Sequence, residues 1–359
     1  MLRPATTTRG RSRRAWPAAL LLSSLAACVT TYEPVDPEND VESLSFAQPV
    51  AIPLPELGGG NNRVLVEFYS GILRRLQDAA DDGDVALLDS LVDSYDRPSV
   101  PDAFKQHLEG YRAIARGIGF THHVQQKGSL RLTGDVPEGQ DEPTTPVLGE
   151  PLRLELEVPA MAAPVRLGAL GQRDPIGFSV AVTIDDEYVD GSSRLSQTKE
   201  FLWLPEPFEL SGTRALRLPI EIGADVGDAV RRSVLVRVDL MPGYVTFDEM
   251  RAPVQRVTAG AVSYTQWPKG HEILAAQPIA GLKAALEDFT PKNFASAYLS
   301  ALLVPSSKRR EACSLLIDQV RFGRADQAQV AMAALHQIAG VKIAVGDRDG
   351  WLAWWQSKQ

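Results

Sequence analysis

Residues 178–184, Phe-Ser-Val-Ala-Val-Thr-Ile, and residues 234–240, Val-Leu-Val-Arg-Val-Asp-Leu, have an apolar side chain at every second position, and all the residues between except Leu235 are small or polar. The same period of two runs through residues 152–158 and 216–222. Because successive side chains of a strand point to opposite faces, each stretch predicts a strand with one buried face and one solvated face. Clusters of Gly, Pro, Asp and Ser separate the stretches, which is typical of antiparallel sheets.

These patterns lie within residues 128–266, and we expect this segment to form an antiparallel β-sandwich. Shorter extended pieces at residues 130–132, 200–204 and 257–264 add to the strand count. An immunoglobulin-like sandwich has this size and this number of strands. The Cys…Trp…Cys pattern of true immunoglobulin domains is absent from the sequence, so the strand topology stays open.

Helical periodicity flanks the strand region on both sides. In residues 63–127, apolar side chains recur at helical spacing, and Asp84 stands where a helix N-cap is expected. In residues 267–359, Thr290-Pro291 predicts another helix start, because proline is favoured at the first helical position. The predicted fold class is therefore α+β, with N-terminal helices, a central sandwich and a C-terminal α-helical unit.

The C-terminal end carries a specific pattern. Residues 333–340 read Ala-Ala-Leu-His-Gln-Ile-Ala-Gly, Gly346-Asp347 follows, and residues 351–355 read Trp-Leu-Ala-Trp-Trp. This end resembles the terminal unit of bacterial HEAT-type helical-repeat proteins. The resemblance implies helical pairs and a role in protein binding. The unit does not recur upstream, and stacked repeats normally need three or more copies, so a long solenoid is not expected.

The N-terminus has the parts of an export signal. A basic stretch without acids precedes a short apolar run from Ala15 to Ala26, which is too short to span a bilayer. Leu25, Ala26, Ala27 and Cys28 then match the lipobox, and residues 1–28 resemble the signal peptides of bacterial lipoproteins. The resemblance implies cleavage after residue 27 and lipid on Cys28, which anchors the protein to a membrane.

The residues after Cys28 extend this expectation. In the lipoprotein family an Asp in this place retains the protein at the inner membrane, whereas this chain has Val29 and Thr30. The resemblance therefore implies an outer-membrane destination where such a membrane exists. Residues 28–62 are rich in acids, prolines and glycines, which predicts a flexible linker between the lipid and the folded part.

Charge argues against nucleic acid as a partner. Residues 1–27 hold five of the 37 Lys and Arg residues and none of the 45 Asp and Glu residues. The rest of the chain therefore carries 32 basic against 45 acidic residues, a net charge of −13. A protein this acidic repels phosphate backbones, and no basic stripe is interleaved with aromatic residues.

No motif indicates an enzyme or a cofactor. With Cys28 lipidated, Cys313 is the one remaining cysteine, and its helical surroundings predict a buried apolar role. His271-Glu272 begins a zinc-protease motif, but residue 275 is Ala rather than His. Dinucleotide, phosphate-loop and serine-hydrolase signatures are also absent. We expect no cofactor.

Two groups of residues remain as candidates for binding. The acids Asp185, Asp186 and Asp190 lie where a turn between two strands is expected, and they could hold a divalent cation. A solvated turn is the competing interpretation. The aromatic candidates for an exposed binding surface are Trp203, Trp267, Trp351, Trp354 and Trp355. For these, packing in a core or between domains is the competing interpretation.

The sequence favours a non-enzymatic envelope lipoprotein that binds or scaffolds another envelope protein. One alternative is a hydrolase of envelope polymers, which predicts acids with shifted pKa values that converge in a cleft. Another is a sandwich that binds carbohydrate, which predicts exposed coplanar aromatic side chains at Trp203 or Trp267. A scaffold predicts an exposed apolar groove instead.

Overall fold

A computed structural model describes residues 63–134 and 143–359. The predicted signal peptide, the lipobox and the linker of residues 28–62 lie outside the described residues. The chain begins with three helices, α1 (Arg63–Asp81), α2 (Val85–Tyr95) and α3 (Asp102–Lys127). Asp84 caps α2 as predicted, because its carboxylate accepts a hydrogen bond of 2.9 Å from the Leu87 amide.

Strands occupy the middle of the chain. Their bounds are β1 (Ser129–Leu132), β2 (Leu152–Val158), β3 (Val165–Leu167), β4 (Gly177–Glu187), β5 (Ser193–Trp203), β6 (Phe208–Leu210), β7 (Leu216–Ile222), β8 (Arg231–Leu240), β9 (Gly243–Phe247), β10 (Met250–Val254) and β11 (Val257–Gln266). They form antiparallel sheets of order β1-β2-β7, β10-β9-β3-β6 and β11-β8-β4-β5. The prediction of an antiparallel β region between helical segments is confirmed.

The alternating patterns mark the buried faces correctly in β2, β7 and β8. In β2 and β7, every second residue from Leu152 and Leu216 is buried, and the two strands pair in register from Leu152↔Ile222 to Val158↔Leu216. Apolar residues of all three sheets share one core, which also takes in Phe120 and Val124 from α3. Burial of these side chains is the main term that stabilises the sheets, at roughly 1.5–3 kcal/mol for each fully buried one.

The end of β4 differs from the sequence prediction. Asp185 and Asp186 belong to the strand itself rather than to the turn after it, and only Asp190 lies in the turn. The strand continues through the acids because Asp186 faces inward and pairs with Arg232 on β8. That partner lies 46 residues away, so no local pattern announces it.

Helix α3 contacts the sheets through a glycine. A Cβ on Gly117 would stand 1.7 Å from the carbonyl oxygen of Pro253 in β10, so only glycine permits this approach. The Thr121 hydroxyl donates to the Gly117 carbonyl at 2.9 Å and accepts from the Gln255 amide at 3.3 Å. The helix therefore docks on the strands through backbone contact as well as apolar packing.

The C-terminal segment is helical, as predicted. Its helices are α4 (His271–Ala276), α5 (Pro278–Glu287), α6 (Phe294–Leu302), α7 (Arg309–Phe322), α8 (Ala325–Ile338) and α9 (Arg348–Gln356). Helix α6 begins at Phe294, three residues after the proline of Thr290-Pro291, because a turn at residues 291–293 intervenes. The helices share a core of their own. Cys313 is buried in that core, and burial raises the pKa of its thiol.

A buried polar junction joins this helical core to the strands. Glu187, at the end of β4, accepts a hydrogen bond from the Tyr298 hydroxyl on α6 and forms an ion pair with Arg231. Tyr298 is fully buried, and desolvation together with the Glu187 carboxylate raises the pKa of its hydroxyl. The tyrosine is therefore held as a neutral hydrogen-bond donor between the two parts of the chain.

Within residues 63–134 and 143–359, no helix is both long enough and apolar enough to cross a bilayer.

Candidate functional site

A cavity of about 290 Å³ opens between β4 and β5 on one side and β7 on the other. The loop of residues 223–227, which follows β7, closes one end of it. We call this space the edge cleft. Its lining is Val180, Val182, Ile184, Asp186, Tyr188, Arg194, Ser196, Thr198, Glu200, Ile220, Glu221, Ile222, Gly223, Asp225, Val226, Gly227 and Arg232. The walls are therefore mostly apolar, and a few polar groups lie among them.

The cleft exists because two sheets end beside each other. β5 is the last strand of the sheet β11-β8-β4-β5, and β7 is the last strand of the sheet β1-β2-β7. The side chains that β5 directs toward the cleft include Ser196, Thr198 and Glu200, which are smaller or more polar than the valines of β4 beside them. Such residues do not seal the space between the sheets, and Thr198 remains exposed.

The outer edge of β5 offers free backbone groups. In the hairpin before β5, the Tyr188 amide donates to the Ser192 carbonyl at 3.0 Å, and pairing continues from Glu187↔Ser193 to Gly177↔Trp203. Antiparallel pairs alternate between bonded and non-bonded ones, so the odd-numbered residues of β5 direct their N–H and C=O groups away from β4. In the described part of the chain, β5 pairs with no strand but β4.

β7 offers fewer free backbone hydrogen-bonding groups at its edge than β5 does. It contains Pro219, which lacks an N–H and so removes one donor from the middle of a seven-residue strand. β5 has eleven residues and contains no proline. An extended ligand that seeks backbone hydrogen bonds would therefore find them along β5 rather than along β7.

A buried ion pair fixes one end of the cleft. Arg232 donates from Nε and Nη2 to the two carboxylate oxygens of Asp186, at 2.6 and 3.0 Å. It also donates to the carbonyl oxygens of Gly223, at 3.3 Å, and Asp225. The Arg232 side chain is 4% exposed and that of Asp186 is 12% exposed. One guanidinium thus fastens the loop of residues 223–227 to β4.

Glu200 is the unsatisfied acid of the cleft. It stands opposite Val180 on β4, and it has neither an ion pair nor a side-chain hydrogen bond within the described residues. Partial burial raises the pKa of its carboxyl group, since desolvation disfavours the charged form. The cleft therefore contains an acid that would gain from a cationic or hydrogen-bonding partner.

Asp186 and Glu200 do not form a pair of carboxylates like that of a glycosidase. Asp186 and Glu200 lie at register positions six residues apart along β4, which corresponds to roughly 20 Å of strand. Glycoside hydrolysis needs two carboxyl groups about 5–10 Å apart. Glu221 also lines the cleft, but it forms an ion pair with Arg153 at 3.2 Å.

The structure separates the three acids considered for a cation. Asp185 is exposed on the outer face of β4, whereas Asp186 points inward to Arg232. Asp190 accepts hydrogen bonds from the Ser192 amide at 2.9 Å and hydroxyl at 2.6 Å, which lower the pKa of its carboxyl group. Across residues 63–134 and 143–359, no three potential metal ligands come together.

Trp203 and Trp267 pack against the protein itself. A Cβ on Gly177 would come within 2.7 Å of the Trp203 ring, so the indole lies over the β4 backbone. Trp267 stacks with His271 at 5.8 Å between ring centroids and lies 5.5 Å from the Arg231 guanidinium. Both side chains are half-buried, and neither lines the edge cleft.

The three C-terminal tryptophans belong to the helical core. Trp351 is fully buried, and its Nε1 donates to the Ala344 carbonyl at 3.1 Å. Trp355 is also buried, and Trp354 is half-buried against both, with ring centroids 5.6 and 5.8 Å away. The Trp351 and Trp355 side chains therefore leave little surface for a ligand. Leu25, Ala26, Ala27 and Cys28 lie outside the described residues.

Sequence reasoning missed the edge cleft. Residues 200–204 are recognisable as extended, but nothing in their pattern shows that this strand ends a sheet. The available signal was the polarity of residues 193–200, Ser-Arg-Leu-Ser-Gln-Thr-Lys-Glu, because edge strands commonly carry charges that discourage unwanted pairing.

Comparison with known proteins yields little. No family model matches the chain, and no curated protein matches it. Among solved structures, it is similar to Spo0M, a sporulation control protein from Bacillus subtilis, with 9% sequence identity and a TM-score of 0.21. The alignment covers 45% of this chain and spans about half (55%) of the length of that one. A TM-score this low identifies neither a shared fold nor a shared function.

Proposed function

We propose that this protein is a lipid-anchored, non-enzymatic envelope protein that binds an extended segment of another envelope protein along β5. The observation that carries the proposal is the open edge of β5 beside an apolar cleft. Strand addition uses such an edge, since main-chain hydrogen bonds give affinity and alternate side chains enter pockets. The Trp203 and Trp267 rings pack on the protein itself, which disfavours the sugar-binding alternative.

We further propose that the sheets β1-β2-β7 and β11-β8-β4-β5 are the two layers of the predicted sandwich. In support, their inward side chains share one apolar core, and β1 lies against β11 at the edge opposite the cleft. The immunoglobulin-like topology and the HEAT-like character of the C-terminal helices stay predictions.

The proposed lipid anchor is inferred from the lipobox at residues 25–28. Val29 and Thr30 favour the outer membrane as the membrane that holds it. We expect Cys28→Ser to move the protein from the membrane fraction to the soluble fraction, or to stall removal of the signal peptide. Two acyl chains give stable anchoring, and without them the apolar run is too short to span a bilayer. The measurement is fractionation with the mass of the intact protein. The control is Cys313→Ser, which should stay with the membrane. An unchanged membrane fraction and an unchanged mass for Cys28→Ser would refute the anchor.

Binding along β5 is tested by site-specific photo-cross-linking in intact cells. A photoreactive residue at Thr198, which faces the cleft, should give one reproducible adduct with an envelope protein. The matched control is the exposed Ser263 on β11, at the opposite end of the same sheet, where the adduct should be absent. Equal adducts at the two positions would indicate random encounter, and an adduct at Ser263 alone would place the partner elsewhere.

A further inference from the structure

The surroundings of Glu200 would favour the binding of a cationic group beside its carboxylate. It projects from β5 into a cleft whose nearest wall on β4 is formed by Val180 and Val182. The two arginines that line the cleft lie toward its other end, Arg232 bound to Asp186 and Arg194 opposite Asp186 in register. Within the described residues, no basic side chain pairs with the Glu200 carboxylate.

We propose that the segment bound along β5 presents a lysine or arginine side chain that pairs with Glu200. This inference rests on the proposed strand addition and deepens it by naming the chemistry of the partner. A strand added to the outer edge of β5 would place every second side chain over the cleft, on the same side as Glu200. Its apolar side chains would cover the valines and isoleucines of the walls, and one basic side chain would meet the carboxylate.

Charge complementarity favours a basic segment over a neutral or an acidic one. The chain after residue 27 has a net charge of −13, so an acidic partner would be repelled at long range. At short range, an acidic residue opposite Glu200 would place two carboxylates together in a partly desolvated space. Like charges juxtaposed in an interface oppose binding, and this cost gives specificity.

The test uses synthetic strands and the detergent-solubilised full-length protein. The probes are labelled nine-residue peptides of sequence Val-Thr-Val-Thr-X-Thr-Val-Thr-Val, in which X is lysine, norleucine or glutamate. We expect the lysine peptide to bind at least about tenfold more tightly than the norleucine peptide, and the glutamate peptide to bind most weakly. Glu200→Gln should abolish the preference for lysine, and Glu200→Lys should reverse it in favour of glutamate.

A control variant and the pattern of peptide affinities distinguish failure of the Glu200 pairing from failure of strand addition itself. Asp185→Asn removes a carboxylate from the outer face of β4 and should leave the preference unchanged. Equal affinity of the three peptides for the wild-type protein would overturn the role of Glu200 while strand addition stands. Failure of all three peptides to bind would overturn both. A preference for lysine that survives Glu200→Gln would place the recognising group elsewhere.

Discussion

Trp351→Ala should lower the free energy of unfolding of the C-terminal helical part by about 3–5 kcal/mol. The Trp351 side chain has no exposed surface, and its indole N–H bonds to the Ala344 carbonyl at 3.1 Å. The substitution would leave a large cavity under α9, and the Ala344 carbonyl would keep only its hydrogen bond from the Asp347 amide. Denaturant unfolding of the purified variants measures the difference, provided that the transition of this part is followed separately.

The matched control is Phe322→Ala, which removes an aromatic ring from the same helical segment. Phe322 is 78% exposed at the end of α7, so its loss should change the free energy of unfolding by less than about 0.5 kcal/mol. If the two substitutions had equal effects, Trp351 would not be the core residue that the structure describes. A stable Trp351→Ala variant that lost partner binding would instead assign the tryptophan to a binding surface.

Arg232→Ala should lower the free energy of unfolding of the sheet region by about 3–5 kcal/mol, because it leaves the buried Asp186 carboxylate without its ion-pair partner. Asp186 would lose both hydrogen bonds from the guanidinium, and the carbonyls of Gly223 and Asp225 would lose theirs. The loop of residues 223–227 would also be released from β4, which widens one end of the edge cleft. We therefore expect weaker binding at the cleft in addition to the loss of stability, measured by unfolding and by peptide affinity.

The same strand supplies the control. Arg237 lies on the exposed face of β8 and pairs with Asp239 at 2.7 Å, so Arg237→Ala should cost no more than about 1 kcal/mol. The double variant Arg232→Met with Asp186→Leu should recover most of the stability, since paired removal of a buried ion pair by apolar residues is often neutral. A double variant as unstable as Arg232→Ala would show that the loss of stability comes mainly from the lost contacts to the loop of residues 223–227. The unpaired charge of Asp186 would then be the smaller cause.

The order of helices, antiparallel strands and helices could be predicted from the sequence because it follows from local periodicity. The four alternating stretches from residues 152, 178, 216 and 234 are strands, and the expected face is buried throughout in all but the second, in which Val182 and Ile184 are half-buried beside the edge cleft. The helix cap at Asp84 could also be predicted from the sequence, since a capping carboxylate accepts its hydrogen bond from an amide only three residues away. In these cases the physical cause of the structure lies within the segment itself.

Other features depend on residues distant in the chain and could not be predicted. β3 and β6 have three residues each, too few to show a period of two. Gly117 is explained only by the approach of Pro253 on β10. Asp186 looks like a turn acid until Arg232 is placed beside it. The edge cleft depends on which strands end the sheets, and no segment of sequence encodes that alone.

The central claim, that a partner adds a strand to the outer edge of β5, is tested most directly by amide hydrogen exchange. The measurement compares the free protein with the complex isolated through the Thr198 cross-link. We predict that the amides of Leu195, Gln197 and Lys199, which point away from β4, exchange at least about tenfold more slowly in the complex. The amides of α7 to α9 should exchange at the same rate in both. Unchanged exchange in β5, together with slower exchange in those helices, would contradict the account and place the partner on the C-terminal helices.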